Sequence, residues 1–212
     1  MIKIAPAIFS GNLSYLSKEI EKISNADLIH FDVMDGHFTP EITCGKNTIA
    51  SLRNKTELLF DVHLLIDNPL KHIKEFITSS DIITIHAETT NNLSQALSLI
   101  KESGIKAGVA LNPSTPISKI ISHLEEIDMI VIMTTDPTVS NEKFDTTTLS
   151  KIEEIRNIII KGNLTLDIQA DGRINIENGK LAVKAGANIL VAGSFVLKNN
   201  NPAQAIEELR NL

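Results

Sequence analysis

Leu28-Ile29-His30-Phe31-Asp32-Val33 is a short apolar run that carries an imidazole and a carboxylate two residues apart. Side chains alternate along an extended strand, so His30 and Asp32 share one face while Phe31 and Val33 occupy the other. Seven similar runs flank it: Ile2 to Ile8, Leu58 to Leu64, Ile82 to His86, Ala107 to Leu111, Met129 to Met133, Leu164 to Ile168 and Ile189 to Ala192. Nearly all are continuously apolar, the pattern of strands buried on both faces. Helix-like stretches with apolar residues three and four apart lie between them: Leu13 to Ile23, Leu70 to Ile77, Leu93 to Ile100, Leu149 to Ile159, Gly179 to Ala185 and Ala203 to Leu209. Repeated strand-then-helix units require parallel pairing. Eight such units in 212 residues predict an α/β fold, a (β/α)8 TIM barrel at the small end of its range, with a doubly wound open sheet as the runner-up. No linker or charge block interrupts the pattern, and Lys198-Asn199-Asn200-Asn201-Pro202 reads as a turn, so residues 1–212 form one domain.

Composition narrows the function. The chain holds 26 acidic and 20 basic residues, a formal charge of −6, and its cations are scattered, which argues against a nucleic-acid partner. With no Trp and one Tyr there is little to stack bases on. Cys44 is the only cysteine, a packing residue more than a nucleophile, and a reducing cytoplasm fits. The N-terminal residues enter a strand-like run without the features of a signal peptide, and no run approaches a membrane span, so a soluble cytoplasmic protein is expected.

In a barrel the functional side chains gather where the strands end. His30 and Asp32 lie in the second strand, His63 ends the third, His86 the fourth and Met133 the sixth, while Asp171 follows the seventh. An unpaired buried charge costs several kcal/mol by rough estimate, so two imidazoles and two carboxylates at these positions point to a metal site holding two carboxylates. His86 is evenly balanced between a pocket contact and a satisfied core histidine. His37 has a turn-like context, and His72 and His123 fall on solvated helical segments.

The segments Ala5-Pro6-Ala7-Ile8-Phe9-Ser10, His30-Phe31-Asp32-Val33-Met34-Asp35-Gly36-His37-Phe38-Thr39-Pro40, Asp61-Val62-His63-Leu64, Ile82-Ile83-Thr84-Ile85-His86-Ala87-Glu88, Lys106 to Pro113 and Val191-Ala192-Gly193-Ser194 resemble those of ribulose-phosphate 3-epimerases. The resemblance runs from Ile4 to the C-terminal helix. It implies an enzyme, an isomerase of the pentose phosphate pathway, interconverting D-ribulose 5-phosphate and D-xylulose 5-phosphate with one divalent metal ion. His30, Asp32, His63 and Asp171 would be the ligands, with Asp32 and Asp171 also the catalytic proton-transferring pair. Zinc, iron, cobalt and manganese all suit such donors. Inverting a carbon beside a carbonyl needs a base on one face and an acid on the other, and two carboxylates suffice. Asp35 and Asp61 are placed to orient ligands, with a turn cap as the second reading of Asp35. Ser10, Met34, His86, Met133, Gly172, Arg173, Gly193 and Ser194 are the expected substrate contacts, and a homo-oligomer is expected.

The departures from the family pattern bear on the phosphate. Where Asn-Pro-Gly-Phe-Gly-Gly-Gln is usual after the sixth strand, this chain reads Asp136-Pro137-Thr138-Val139-Ser140-Asn141-Glu142. The length is kept, the glycines that let amides approach a dianion are gone, and two carboxylates are added. Ala7 stands for a usual serine, Leu65 for a pocket methionine and Arg173 for the second glycine of Asp-Gly-Gly. Arg173 either offers a bidentate fork to phosphate or blocks the site by pairing with Asp136 or Glu142. A pentulose-phosphate epimerase is favoured. The alternatives are an epimerase of another ketose, whether a hexulose phosphate or an unphosphorylated sugar, and a non-catalytic sugar- or metal-binding barrel.

Overall fold

The computed structural model describes residues 1–140 and 142–212; Asn141 of the altered loop lies outside the described residues. Eight strands form one parallel sheet: β1 (Lys3–Ala5), β2 (Leu28–Met34), β3 (Leu59–Leu65), β4 (Ile82–His86), β5 (Lys106–Leu111), β6 (Met129–Met133), β7 (Asp167–Asp171) and β8 (Ile189–Val191). Their order is β1-β8-β7-β6-β5-β4-β3-β2. The remaining seam, between β1 and β2, is bridged where Ala7 meets His30, whose amide donates to the Pro6 carbonyl at 3.0 Å. This is the (β/α)8 barrel that the repeat pattern predicts.

Eight helices follow: α1 (Leu16–Lys22), α2 (Lys46–Leu52), α3 (Ile73–Phe76), α4 (Leu93–Lys101), α5 (Thr148–Gly162), α6 (Ile176–Ala185), α7 (Ser194–Leu197) and α8 (Pro202–Arg210). Asparagine caps start three of them: Asn92, Asn175 and Asn201 accept from the amides of Gln95, Asn178 and Gln204. After β5 the chain makes only 3-10 turns, at Ile117–Lys119 and Ile121–His123. The outward residues of the strands, such as Ile29, Phe31, Val62, Ile83 and Ile130, are buried under the helices. The inward set includes Ala5, Leu28, Ile82, Ala110, Val131, Met133 and Val191, and it shares the barrel interior with His30, Asp61, His63, Thr84 and Gln169, all fully buried.

Several expected boundaries move. β1 is shorter than Ile2 to Ile8, because Pro6 has no N–H for the ladder and Ile8–Ser10 coils into a 3-10 turn. β7 spans Asp167–Asp171 instead of Leu164 to Ile168, so Asp171 ends the strand and does not follow it. The seventh strand turns polar residues inward, and an apolar-run criterion therefore stops too early. α2 and α7 carry too few buried residues to announce themselves.

Candidate metal centre and sugar pocket

The strand register brings four side chains to one point. Asp32 on β2 pairs in register with His63 on β3, and Asp171 closes β7. His30 Nε2 lies 3.1 Å from Asp32 Oδ1 and 3.4 Å from Asp171 Oδ2, while His63 Nδ1 lies 3.7 Å and 3.4 Å from the same two oxygens. All four donor atoms fall within 4.8 Å of one another. Bonds of about 2.1 Å to a tetrahedral zinc would set ligand atoms about 3.4 Å apart. His63 Nδ1 and Asp171 Oδ2 are buried without a hydrogen-bond partner, which is the state of donor atoms built to face a cation. The residues fit a divalent ion.

The electrostatics agree. Burial pulls the His30 imidazole down, yet the charges of Asp61 and Asp32 and the proximity of Asp171 hold it well above its usual value. Burial would raise Asp171, but His30 and His63 beside it hold the carboxyl far below the usual range. The cluster therefore favours positive charge at its centre.

Two supports orient the imidazoles. His30 Nδ1 meets Asp61 Oδ2 at 2.8 Å, and the same oxygen accepts from Gln169 Nε2 at 2.7 Å. His63 Nε2 meets His86 Nε2 at 2.9 Å, and His86 Nδ1 lies 3.2 Å from Glu88 Oε2. Burial pushes His86 down to about 4. Glu88, which burial would raise, is lowered to about 2 by His86 and by donors from Thr115 and Asn112. Asp35 is a turn cap: Oδ1 accepts from the His37 and Phe38 amides, and Oδ2 from the Asp67 amide. Gln169 escapes sequence reasoning because only its inward position on β7 gives it a role. Glu88 is visible in the fourth-strand motif, yet nothing local connects it to His63.

Above the cluster opens a cavity of about 280 Å³ lined by Asp32, Asp171, Ser10, Met34, Met133, Gly172, Arg173, Gly193 and Ser194, with Ala7, Leu65, Val191 and the loop residues Asp136, Pro137, Val139, Ser140 and Glu142. His86, expected at the substrate, is not among the lining residues; it is fully buried behind His63 and against Phe38. Gly193 is required by contact, since a Cβ there would come within 2.2 Å of Ser10 Oγ. The altered loop spends its own amides: Glu142 accepts from the Asp136 amide, and Asp136 Oδ1 accepts from the Thr138 amide at 2.9 Å. Arg173 adopts a left-handed φ of 52° and donates from Nε to the Glu142 carbonyl at 2.9 Å. Its contact is thus with main chain, and among the described residues lining the cavity it is the one cation.

Other proteins share this architecture. KGPDC from Streptococcus mutans aligns with a TM-score of 0.75 at 16% identity over 99% of this chain and 96% of that one. 3-Hexulose-6-phosphate synthase gives 0.69 at 14% identity, over 100% of this chain and 99% of that one. At such identities the likeness is one of fold. Sequence comparison goes further. The chain is 42% identical to the ribulose-phosphate 3-epimerase of Bacillus subtilis (strain 168) over 99% of both proteins. It is 36% identical to the chloroplastic ribulose-5-phosphate-3-epimerase of Arabidopsis thaliana over 99% of this chain and 76% of that protein. The Ribulose-phosphate 3 epimerase family matches residues 3–197, which span every strand and both carboxylates of the cluster, and the chain belongs to that family.

Proposed function

We propose that the chain is a metal-dependent epimerase interconverting D-ribulose 5-phosphate and D-xylulose 5-phosphate. One observation carries the reading: Asp32 and Asp171 come from β2 and β7, both line the cavity, and both border the same two imidazoles. One carboxylate takes the C3 proton and the other returns a proton from the opposite face, which inverts the carbon. A divalent ion held by His30, Asp32, His63 and Asp171, whether zinc, iron, cobalt or manganese, supplies positive charge against the oxyanion that develops as C3 loses its proton. Met34, Leu65 and Met133 shield the reacting carbon from water, while Ser10, Gly172, Arg173, Gly193 and Ser194 face the other end of the sugar phosphate. A homo-oligomer in a reducing cytoplasm completes the proposal, supported by the exposed apolar side chains of Leu13, Ile42 and Ile160 and by the lone thiol of Cys44.

A second reading, the same chemistry on an unphosphorylated ketose, is favoured by the loop whose amides are taken by its own carboxylates. The test is conversion of ribulose 5-phosphate by protein loaded with each metal, following solvent deuterium into C3. Turnover is expected, falling by about 10²- to 10⁴-fold in Asp32→Asn. Absence of both turnover and exchange with every metal would reject the pentulose substrate and move the assay to the other ketoses.

A further inference from the structure

A line of hydrogen bonds leaves the metal cluster and ends in the loops after β4 and β5. Glu88, just beyond β4, accepts from the Asn112 amide through Oε1 at 2.9 Å and meets His86 Nδ1 through Oε2 at 3.2 Å. His86 Nε2 in turn meets His63 Nε2 at 2.9 Å. The two rings are within 8° of parallel with centroids 4.9 Å apart, and the 2.9 Å between the two Nε2 atoms leaves room for one hydrogen between them. The loop is braced from outside by Lys151 of α5, whose ammonium donates to the carbonyls of Asn112, Pro113 and Thr115.

With His86 neutral and Glu88 ionised, this geometry allows one arrangement of protons. An ionised carboxylate can only accept, so His86 carries its hydrogen on Nδ1 and presents a lone pair at Nε2. The bond to that lone pair places a hydrogen on His63 Nε2. His63 Nδ1 is then left with its lone pair, and it is this atom that faces Asp32 and Asp171 without a hydrogen-bond partner.

We propose that Glu88 is a positioning residue: acting through His86, it holds His63 as the Nε2–H tautomer with Nδ1 turned to the metal. The other ligating imidazole is oriented by a carboxylate directly, through His30 Nδ1 and Asp61. The second carboxylate lies one imidazole further out, so a residue distant from the sugar sets the ligand.

The inference rests on the metal reading of the four-residue cluster, and one series of measurements separates the two. Zinc affinity is measured by competition with a chelator for the unaltered protein, Glu88→Gln and His86→Gln. If the unaltered protein binds no zinc, the metal reading itself falls. The amide introduced by Glu88→Gln offers one oxygen where two acceptors are needed, so affinity is expected to drop about 10- to 100-fold. In His86→Gln the new amide oxygen can still accept from His63 Nε2–H, and affinity is expected to stay within about threefold. A Glu88→Gln affinity within about twofold of the unaltered protein overturns the proposal, as does an equal loss in both variants, which is what a merely structural role predicts. Should Glu88→Gln fail to fold, long-range ¹H–¹⁵N spectra of the unaltered zinc-loaded protein decide alone. Protons on His63 Nε2 and His86 Nδ1 are expected; a hydrogen missing from either position overturns the assignment.

Discussion

Arg173 holds a left-handed backbone conformation that costs an ordinary residue about 1–2 kcal/mol. Glycine would sit there without strain, although its greater freedom in the unfolded chain returns part of the gain. Arg173→Gly is therefore expected to raise stability to urea unfolding by up to about 1 kcal/mol. The same change removes the one cation among the described residues lining the cavity. The KM for ribulose 5-phosphate is expected to rise at least about tenfold with kcat less affected, the signature of lost binding common to ground and transition states. An unchanged KM would show that the phosphate is held without Arg173. Cys44 illustrates the opposite situation, a reactive group silenced by packing. Burial pushes its thiol up to about 11, so labelling by a disulfide reagent should be slow at pH 7 and accelerate only as pH approaches that value. Rapid labelling of the folded protein at neutral pH would contradict this.

At the scale of elements, the strands carrying apolar runs are legible in the sequence, and β7, whose inner face is polar, is displaced. β2, β4 and β6 stand at or within one residue of their expected ends because both of their faces are largely apolar or hold only a recognisable His-x-Asp pair. β7 directs Asp167, Gln169 and Asp171 inward, and a run of hydrophobicity cannot disclose a strand whose inner face is a polar network. The four candidate ligands are recoverable since Asp32, His63 and Asp171 lie toward the C-terminal ends of their strands, where a barrel collects chemistry, and His30 shares the face of Asp32. The supports of those ligands are not, because Glu88 meets His86 and Asn112 through tertiary placement. The α5 brace is of the same kind. Lys151 makes three hydrogen bonds to carbonyls nearly forty residues away, at 3.0, 2.9 and 2.6 Å. Lys151→Met keeps the apolar stem and leaves those carbonyls without their donor, an expected loss of about 1–3 kcal/mol in urea unfolding. A loss below about 0.5 kcal/mol would mean that water replaces the ammonium at no cost.

For the whole molecule the weak point is the β1–β2 seam, where one bridge, the main-chain bonds from Asp27 to Ile4 and from His30 to Pro6, and a few side-chain contacts replace a full ladder. The Asp27 carboxylate spans it, accepting from the Ile4 amide at 2.8 Å and from Arg210 of α8 at 2.9 Å. His30 lies on that seam, its amide bonded to Pro6 and its imidazole in the cluster. An ion held by His30 and Asp32 from β2, His63 from β3 and Asp171 from β7 ties together strands on both sides of the seam, so binding should stabilise the barrel as a unit. Because the unfolded chain does not assemble these four donors, free zinc at 100 times its Kd should add about 2.7 kcal/mol. For a domain of this size each kcal/mol raises Tm by about 2–4 °C, so an increase of about 5–11 °C is expected, reversed by chelator and absent in Asp171→Ala. Equal increases in the unaltered protein and in Asp171→Ala would place the stabilising ion elsewhere and detach barrel closure from the four-residue centre.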